Sequence, residues 1–331
     1  MINRQGTHPH QKHPMLDQAT APTRPSLRSP SNWPMYLGLV AMFAAARLPW
    51  TVQRLLGRYL IAPLAYQFAR TRRHAAELNI GLCFPHLDAA QRRCLVRSSF
   101  NDLGIGLFEF ARAWWGSITP IAKRTHIEGL EHLERLRRQG RGVLLVSGHF
   151  TTLEICGRLL CQYLQVSGMY RRHRHPVLEW AITWGRLRYA EHMFPNEKLR
   201  AAIRHLKQGG IIWYAPDQDM RGKDTVFAPF FNLPASTITA THQLARLTGC
   251  AVVPYFHRRV GRDYFLKIAP PLKEFPSKNI ISDTTRINGC IERMVLDSPS
   301  QYLWIHRRFK RQPHGQRSLY DAHKTPSKPE G

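Results

Sequence analysis

The sequence predicts a mixed α/β fold in which a mostly parallel central sheet is flanked by helices and preceded by an apolar N-terminal helix. Beyond residue 140, short apolar runs alternate with helical segments, which is typical of strands joined by covering helices. The chain has 331 residues, of which 43% are hydrophobic, so it can bury a large core. One long apolar stretch near the N-terminus does not follow this alternation of strands and helices.

Four segments differ in composition. Residues 1–34 are polar, rich in Pro, His and Ser, and lack periodicity, so we expect a disordered tail. Residues 35–70 contain the apolar stretch with its basic flank. Residues 71–311 form the α/β domain, and residues 312–331 form a second polar tail.

The apolar stretch is predicted to be a membrane anchor. Met35–Ala46 is continuously apolar, although it is shorter than the roughly 20 residues that span a bilayer. Trp33 and Trp50 flank it as interfacial aromatic residues do, and Val52–Phe68 continues with apolar residues at helical spacing interrupted by arginines. The alternative is a buried pair of core helices. We expect the anchor, either embedded in the membrane or lying on it.

The net charge of the chain limits the kinds of partner that we expect it to bind. The chain carries 48 Lys+Arg against 22 Asp+Glu, a formal net charge of +26 at pH 7. Such a surface attracts nucleic acids, anionic membranes, phosphorylated substrates or acidic proteins. No nucleic-acid-binding motif accompanies the charge, so nucleic acid is not an expected partner. The six cysteines show no CxxC pair, which indicates reduced thiols and no metal site.

The elements of the α/β domain follow from hydrophobic periodicity. Residues 71–140 are helix-rich, with a break at Pro85. Strands are predicted at 143–146, 166–171, 210–214, 251–257, 264–268 and 302–306, and further helices at 129–138, 151–163, 178–189, 198–208, 235–248 and 284–296.

A histidine and a glutamate flank the exit of the first strand. Ser147-Gly148 turns the chain, His149 lies on the turn, and Glu154 follows one turn into the next helix. A carboxylate that accepts the ring N–H of a histidine fixes the tautomer and stabilises the imidazolium, which suits a general base. The alternative is structural. Thr151 and Glu154 also match a helix capping box, and Glu154 could pair with Arg158.

Further charged residues lie at other strand and helix ends. Arg171 and Arg186 are suited to phosphates and carboxylates, although solvated arginines are common in a chain of this composition. Asp217, in Asp217-Gln-Asp219, directly follows a strand, and an ion pair with an arginine is favoured over a metal site there. A basic run near the C-terminus is a candidate surface for phosphate or an acidic carrier protein: Arg307, Arg308 and Lys310.

Taken in order, these segments resemble a known family. The chain is similar to the late acyltransferases of lipid A biosynthesis, in particular the lauroyl branch, from about Trp33 to Tyr320. The segments that carry the resemblance include LNIGLCFPHLD, GHFTTLE, MYRRHRHPVLEWAITWGRLR, WYAPDQD, VFAPFFNLPASTITAT and YLWIHRRFKRQPHG.

The resemblance implies a glycerolipid-acyltransferase-like fold and an enzyme on the cytoplasmic side of the inner membrane. The enzyme would use no cofactor or metal and would transfer a fatty acyl chain from acyl carrier protein to a 3-hydroxyacyl hydroxyl of Kdo2-lipid IV(A). His149 matches the general base of the family and Glu154 its carboxylate partner. Arg186 and Asp217 match two further site positions. A glutamate at position 154 fits a lauroyl donor better than a myristoyl donor.

Two kinds of alternative stay open. One is an acyltransferase of the same fold with a myristoyl or palmitoleoyl donor, or with another glycolipid or glycerol phosphate as acceptor. The other is a nucleic-acid-binding protein, which only the positive charge favours.

Overall fold

The computed structural model describes residues 22–321, apart from the side chain of His314. Nine strands occur in these residues. They are β1 Thr125–Glu128, β2 Val143–Val146, β3 Ser167–Tyr170, β4 Met193–Pro195, β5 Ile211–Tyr214, β6 Thr225–Phe230, β7 Leu233–Ile238, β8 Ala251–Val260 and β9 Asp263–Ile268.

Seven of these strands form the central sheet in the spatial order β1-β9-β8-β2-β5-β3-β4. Every neighbouring pair is parallel except β8 and β9, which are antiparallel. The mixed α/β fold with a mostly parallel sheet is therefore confirmed. Strands β6 and β7 make a separate antiparallel hairpin.

Helices cover both faces of the sheet. Their bounds are α1 Trp33–Ala45, α2 Trp50–Leu56, α3 Ala62–Phe68, α4 Arg70–Cys83, α5 Ala89–Trp115, α6 Thr119–Ala122, α7 Leu130–Arg138, α8 Leu153–Leu160, α9 Pro176–Arg186, α10 Leu199–Lys207, α11 Ala240–Thr248 and α12 Ile280–Asp297.

The central strand β2 shows why its sequence is a continuous apolar run. Leu144 and Val146 join the hydrophobic core on one side of the sheet, and Val143 and Leu145 join the core on the other side. Alternate side chains of a strand point to opposite faces, so a strand covered on both faces needs apolar residues throughout.

The N-terminal helices pack against the long helix α5. Helices α2 and α3 are joined by a π-helical turn, Gly57–Ile61. A Cβ on Gly104 of α5 would lie 2.1 Å from the Gly57 carbonyl oxygen, so these two backbones approach closely because both residues are glycines.

Large apolar side chains on these helices face outward. Leu37 is 69% exposed, Val40 63% and Phe68 76%, so the stretch is not the buried helix pair that was the alternative prediction. Among residues 22–321, no helix has both the length and the apolar character needed to cross a membrane. The predicted anchoring helix is therefore unconfirmed as a spanning element.

Parts of the two predicted tails contact the folded domain. The Tyr36 hydroxyl donates to the Pro25 carbonyl at 2.7 Å, and Arg24 lies over the Trp180 ring, 5.6 Å from its centroid. Tyr320 is buried and hydrogen-bonds Asn79. Parts of residues 22–34 and 312–321 therefore contact the folded domain, while residues 1–21 and 322–331 lie outside the described part.

Two predicted elements are wrong. The helix predicted from residue 235 begins only at Ala240, because Leu233–Ile238 pairs with β6. Phe231 and Asn232 adopt positive φ angles of 50° and 61° at the turn of this hairpin, a conformation typical of two-residue hairpin loops. The sequence analysis also did not predict strands β1 and β4, which lie at the two edges of the sheet.

The strand predicted at 302–306 is not present as a strand. Tyr302 forms only an isolated bridge with Phe150. The Thr151 N–H donates to the Gln301 carbonyl at 2.8 Å, and the Leu303 N–H donates to the His149 carbonyl at 2.9 Å. This segment therefore holds the loop after β2 in place.

Candidate active site

The site begins in the loop that leaves β2. His149 lies there with its main chain fixed by Leu303, and its side chain is 27% exposed. The edge of its ring faces Trp213 on β5, with 6.5 Å between the ring centroids. The histidine therefore stands at the carboxyl edge of the sheet with access to solvent or substrate.

Asp217 is the carboxylate partner of His149. Asp217 Oδ1 lies 2.6 Å from Nδ1 of His149, and Asp217 Oδ2 accepts the main-chain N–H of His149 at 2.8 Å. The aspartate follows β5, which pairs in parallel with β2, so both residues leave the sheet at the same edge. The two bonds fix the ring and place its proton on Nδ1, which leaves Nε2 as the basic atom.

The electrostatics keep Asp217 ionised although its side chain is only 2% exposed. Burial by itself raises the pKa of Asp217, but the charge and hydrogen bonds of His149 outweigh that effect and hold the pKa below its ordinary value. A buried carboxylate in this state stabilises an imidazolium on the neighbouring ring.

Glu154 does not contact His149 as the sequence predicted. Its carboxylate accepts a hydrogen bond from Nε of Arg186 at 2.9 Å, another from the Tyr189 hydroxyl at 2.7 Å and a third from Nε1 of Trp114 at 3.2 Å. The predicted bond between Glu154 and His149 is therefore wrong, and so is the ion pair predicted between Asp217 and an arginine. Helix α8 directs Glu154 toward α5 and α9. Asp217 reaches the histidine because it follows β5, which pairs with β2.

The structural alternatives for Glu154 are also absent at this helix end. Helix α8 has Thr152 as its N-cap residue, without a side-chain capping bond. Arg158 instead donates to the main-chain carbonyls of Arg112, Ala113 and Gly116. The Thr151 N–H donates to the Gln301 carbonyl and not to a side chain of this helix end.

The ion pair of Glu154 and Arg186 is largely buried. The side chain of Glu154 is 4% exposed and that of Arg186 20%. Burial raises the pKa of Glu154, but the Arg186 guanidinium and the hydrogen bonds from Arg186, Tyr189 and Trp114 outweigh it, so the pKa lies below its ordinary value. Glu154 is therefore a fixed, ionised carboxylate that orients Arg186.

An apolar pocket lies beside both groups. It is bounded by α8, β3, the start of β4 and the end of α9, and Arg186 and Trp213 belong to its wall. Its lining is mostly apolar and comprises Leu153, Gly157, Leu160, Cys161, Val166, Ser167, Gly168, Met169, Tyr189, Ala190 and Met193. Trp213 thus contacts the pocket on one side and the His149 ring on the other.

The remaining predicted residues divide into surface and interior. Arg171 is exposed after β3, and Lys310 is exposed as well, while Arg307 is half-buried over the Tyr320 ring. Arg308 is only 2% exposed and donates to the Ser236 carbonyl at 2.7 Å. Its assignment to a basic surface is therefore wrong, because the hairpin of β6 and β7 encloses it.

A second histidine, which belongs to the predicted basic run, lies near the site. His306 Nε2 accepts the main-chain N–H of Asp219 at 3.1 Å. Burial lowers the pKa of His306 to about 4, against the opposing charge of Asp217. Asp219 itself pairs with Arg311, so the two carboxylates of Asp217-Gln-Asp219 turn to different partners.

Comparison with known proteins places these residues in a family. The family model for bacterial lipid A biosynthesis acyltransferases matches residues 20–311. The chain belongs to this family. The family predicted from the resemblance is confirmed, and the protein is an acyltransferase.

Relatives of this acyltransferase are named for different acyl donors. It is 36% identical over 298 residues to the lipid A biosynthesis lauroyltransferase of Escherichia coli (strain K12), covering 89% of this chain and 97% of the relative. It is 36% identical over 296 residues to the palmitoleoyltransferase of the same strain, with 88% and 95% coverage. The myristoyltransferase of that strain is 26% identical over 309 residues, with 89% and 94% coverage.

A solved structure aligns more distantly. The crystal structure of the 1-acyl-sn-glycerophosphate acyltransferase from Thermotoga maritima covers 75% of this chain and 99% of its own at 17% identity. Its TM-score of 0.34 is too low to support an argument about this chain.

Proposed function

We propose that this acyltransferase transfers a lauroyl chain from acyl carrier protein to the hydroxyl of a 3-hydroxyacyl chain on Kdo2-lipid IV(A). The observation that carries the proposal is His149, fixed by the buried carboxylate of Asp217 beside an apolar pocket. In this proposal the acyl chain passes directly from the donor to the acceptor hydroxyl, with His149 as the base.

The reaction needs one base that later acts as an acid. Nε2 of His149 takes the proton of the acceptor hydroxyl, and the oxygen attacks the thioester carbonyl. The carbon–sulfur bond then breaks, and the proton on His149 passes to the departing thiolate. Asp217 supports this cycle because it stabilises the imidazolium between the two proton transfers.

The donor is positioned by Arg186, whose orientation depends on Glu154 and its neighbour Tyr189. Arg186 is partly exposed at the pocket wall, and Glu154 fixes its guanidinium through a buried ion pair. A guanidinium in this position can contact a polar group of the donor or the acceptor without taking part in proton transfer. This role replaces the histidine partnership that the sequence suggested for Glu154.

The apolar pocket suits the hydrocarbon part of the donor. A Cβ added at Gly157 would meet no heavy atom within 4 Å, so the pocket wall at this point is open. Each methylene buried there contributes about 0.8 kcal/mol. The depth of the pocket can therefore select among acyl chains.

The surface supports location at the cytoplasmic face of the inner membrane. Exposed apolar side chains of α1 and α3, such as Leu37 and Phe68, can enter a lipid interface. The net charge of +26 favours an anionic leaflet, the phosphates and carboxylates of the acceptor, and an acidic carrier protein. Acyl carrier protein and Kdo2-lipid IV(A) are the partners of this proposal.

A transfer assay tests the function directly. Membranes containing the protein would be given Kdo2-lipid IV(A) with lauroyl-, myristoyl-, palmitoleoyl- or palmitoyl-carrier protein, and the products identified by mass. We expect a lauroyl product from the wild type and a rate lower by about 10²–10⁴-fold for His149→Ala. Equal rates for the two proteins would overturn the role of His149, and no product with any donor would overturn the proposed acceptor.

A palmitoleoyl donor is the second candidate. It is favoured because the lauroyl- and palmitoleoyltransferase relatives are both 36% identical to this chain. The same assay distinguishes the two, since the preferred donor appears as the mass added to the acceptor.

A further inference from the structure

Away from the proposed base, three potential metal ligands converge at the edge of the sheet. Among the described residues, Glu191, His192 and His205 bring one oxygen and two ring nitrogens within 4.8 Å of one another. Glu191 and His192 directly precede edge strand β4, and His205 lies on α10. The group thus joins a strand edge to a helix that is separate in sequence.

The main chain holds the first two ligands in place. The Glu191 N–H donates to the Val166 carbonyl at 3.0 Å, and the His192 carbonyl accepts the Gly168 N–H at 2.8 Å. These bonds continue the pairing between β3 and β4, so the positions of Glu191 and His192 are set by the sheet and not by a free loop.

The third ligand is seated against a glycine. A Cβ on Gly210 would lie 2.2 Å from Nε2 of His205, so the ring occupies space that only glycine leaves open. Phe194 packs against the same ring with 5.3 Å between centroids. His205 therefore presents Nε2 toward Glu191 from a fixed, buried position. The Ser167 hydroxyl lies between them, 3.2 Å from Nε2 of His205 and 3.4 Å from Oε2 of Glu191, so a bound ion would replace these two hydrogen bonds.

The separations exceed those of hydrogen bonds but suit a shared ion. Nε2 of His205 lies 3.7 Å from Oε2 of Glu191, and Nε2 of His192 lies 3.9 Å from Oε1 of Glu191. Hydrogen bonds between nitrogen and oxygen are about 2.7–3.2 Å long. Two ligand atoms each about 2.1 Å from a tetrahedral zinc ion lie about 3.4 Å apart, so only small side-chain rotations are needed.

We propose that Glu191, His192 and His205 bind one divalent transition-metal ion of the zinc class. Two imidazoles and one carboxylate suit zinc, nickel or copper, whereas magnesium and calcium prefer oxygen ligands. Glu191 is 30% and His192 24% exposed, so an ion can enter from solvent and water can complete its coordination. The ion would tie β4 to α10 behind the pocket wall formed by Ser167, Gly168 and Met193.

Zinc titration of the full chain tests the site. The detergent-solubilised protein would be freed of metal with a chelator, then titrated calorimetrically with Zn²⁺, with Co²⁺ absorption as a second readout. We expect His192→Ala to bind one equivalent less than the wild type. The matched control is His126→Ala, an exposed histidine on β1 at the opposite sheet edge, which should bind as the wild type does.

One further variant keeps the outcome decisive. Histidines in residues 1–21 are common to all variants, so only differences between variants report on the cluster. Glu191→Gln preserves the side-chain shape and should weaken binding by at least about tenfold, since even loss of an outer partner has that effect. Equal stoichiometry and affinity in the wild type, His192→Ala and Glu191→Gln would overturn the proposal, whatever the acyltransfer assay shows.

Discussion

Exchange of the two buried carboxylates for amides separates their roles. In Asp217→Asn the side chain keeps one acceptor oxygen, whereas Asp217 now accepts two bonds from His149, at 2.6 and 2.8 Å. If the oxygen stays on the main-chain N–H, the amide NH₂ faces Nδ1. The ring must then accept at Nδ1 and carry its proton on Nε2, so the base is lost.

The size of the effect follows from the tautomer. A triad aspartate replaced by asparagine, with its geometry intact, lowers kcat by about 10⁴-fold because the wrong tautomer forms. That corresponds to about 5.4 kcal/mol of transition-state free energy at about 1.36 kcal/mol per tenfold change. We expect a loss of this order for Asp217→Asn with lauroyl-carrier protein.

Glu154→Gln should behave differently. The amide removes the charge opposite Arg186 but leaves the bonds between Asp217 and His149 untouched. Stability should fall near the lower end of about 3–5 kcal/mol, because Arg186 retains some contact with solvent. The KM for the donor should rise more than kcat falls, as expected for a positioning residue.

Initial rates over a range of donor concentrations, with thermal unfolding as the control for folding, check both variants. A near wild-type kcat of Asp217→Asn, together with a loss in a folded Glu154→Gln as large as that in His149→Ala, would contradict the proposed roles of both carboxylates. That result would restore Glu154 as the partner of the histidine.

Three further outcomes are expected. Gly157→Leu should shorten the preferred donor, because each methylene kept out of the pocket costs about 0.8 kcal/mol, or about fourfold in affinity. Asp217 and Glu154 have pKa values below their ordinary range, so they stabilise the fold above the unfolded pKa of about 4. The stability they contribute is lost as pH falls through the lower folded values, so the melting temperature of Asp217→Asn should depend less on pH in acid. Leu37→Asp with Leu60→Asp should shift the protein from the membrane to the soluble fraction, since each leucine contributes about 1–2 kcal/mol of apolar burial.

The predictions on donor length and on membrane partition each have a matched control. Gly289→Leu lies on α12 away from the pocket, and its Cβ also meets open space beyond a contact of 3.9 Å with Arg293, so it should leave donor choice unchanged. Leu296→Asp, also an exposed leucine on α12, should leave membrane partition unchanged. An unaltered donor profile, an unaltered pH dependence or an unaltered partition in the test variant would contradict the respective prediction.

The sequence determined what depends on local pattern. The four apolar residues of β2 are buried on both faces, and their unbroken run already indicated a strand inside the fold. His149 and Asp217 each lie three residues after the end of a strand, so their placement near strand ends was also predictable. The hairpin of β6 and β7 was not predicted, because the helix predicted from residue 235 includes the end of β7, which pairs instead with β6.

Only the tertiary structure decided which carboxylate meets the histidine. Glu154 is five residues from His149 in sequence, yet the direction of α8 places its carboxylate against Arg186 and Tyr189. Asp217 is 68 residues from His149, yet it reaches the ring because β5 is the neighbour of β2. Strand order is set by packing of the whole sheet, and periodicity along a single chain does not encode which strand ends become neighbours.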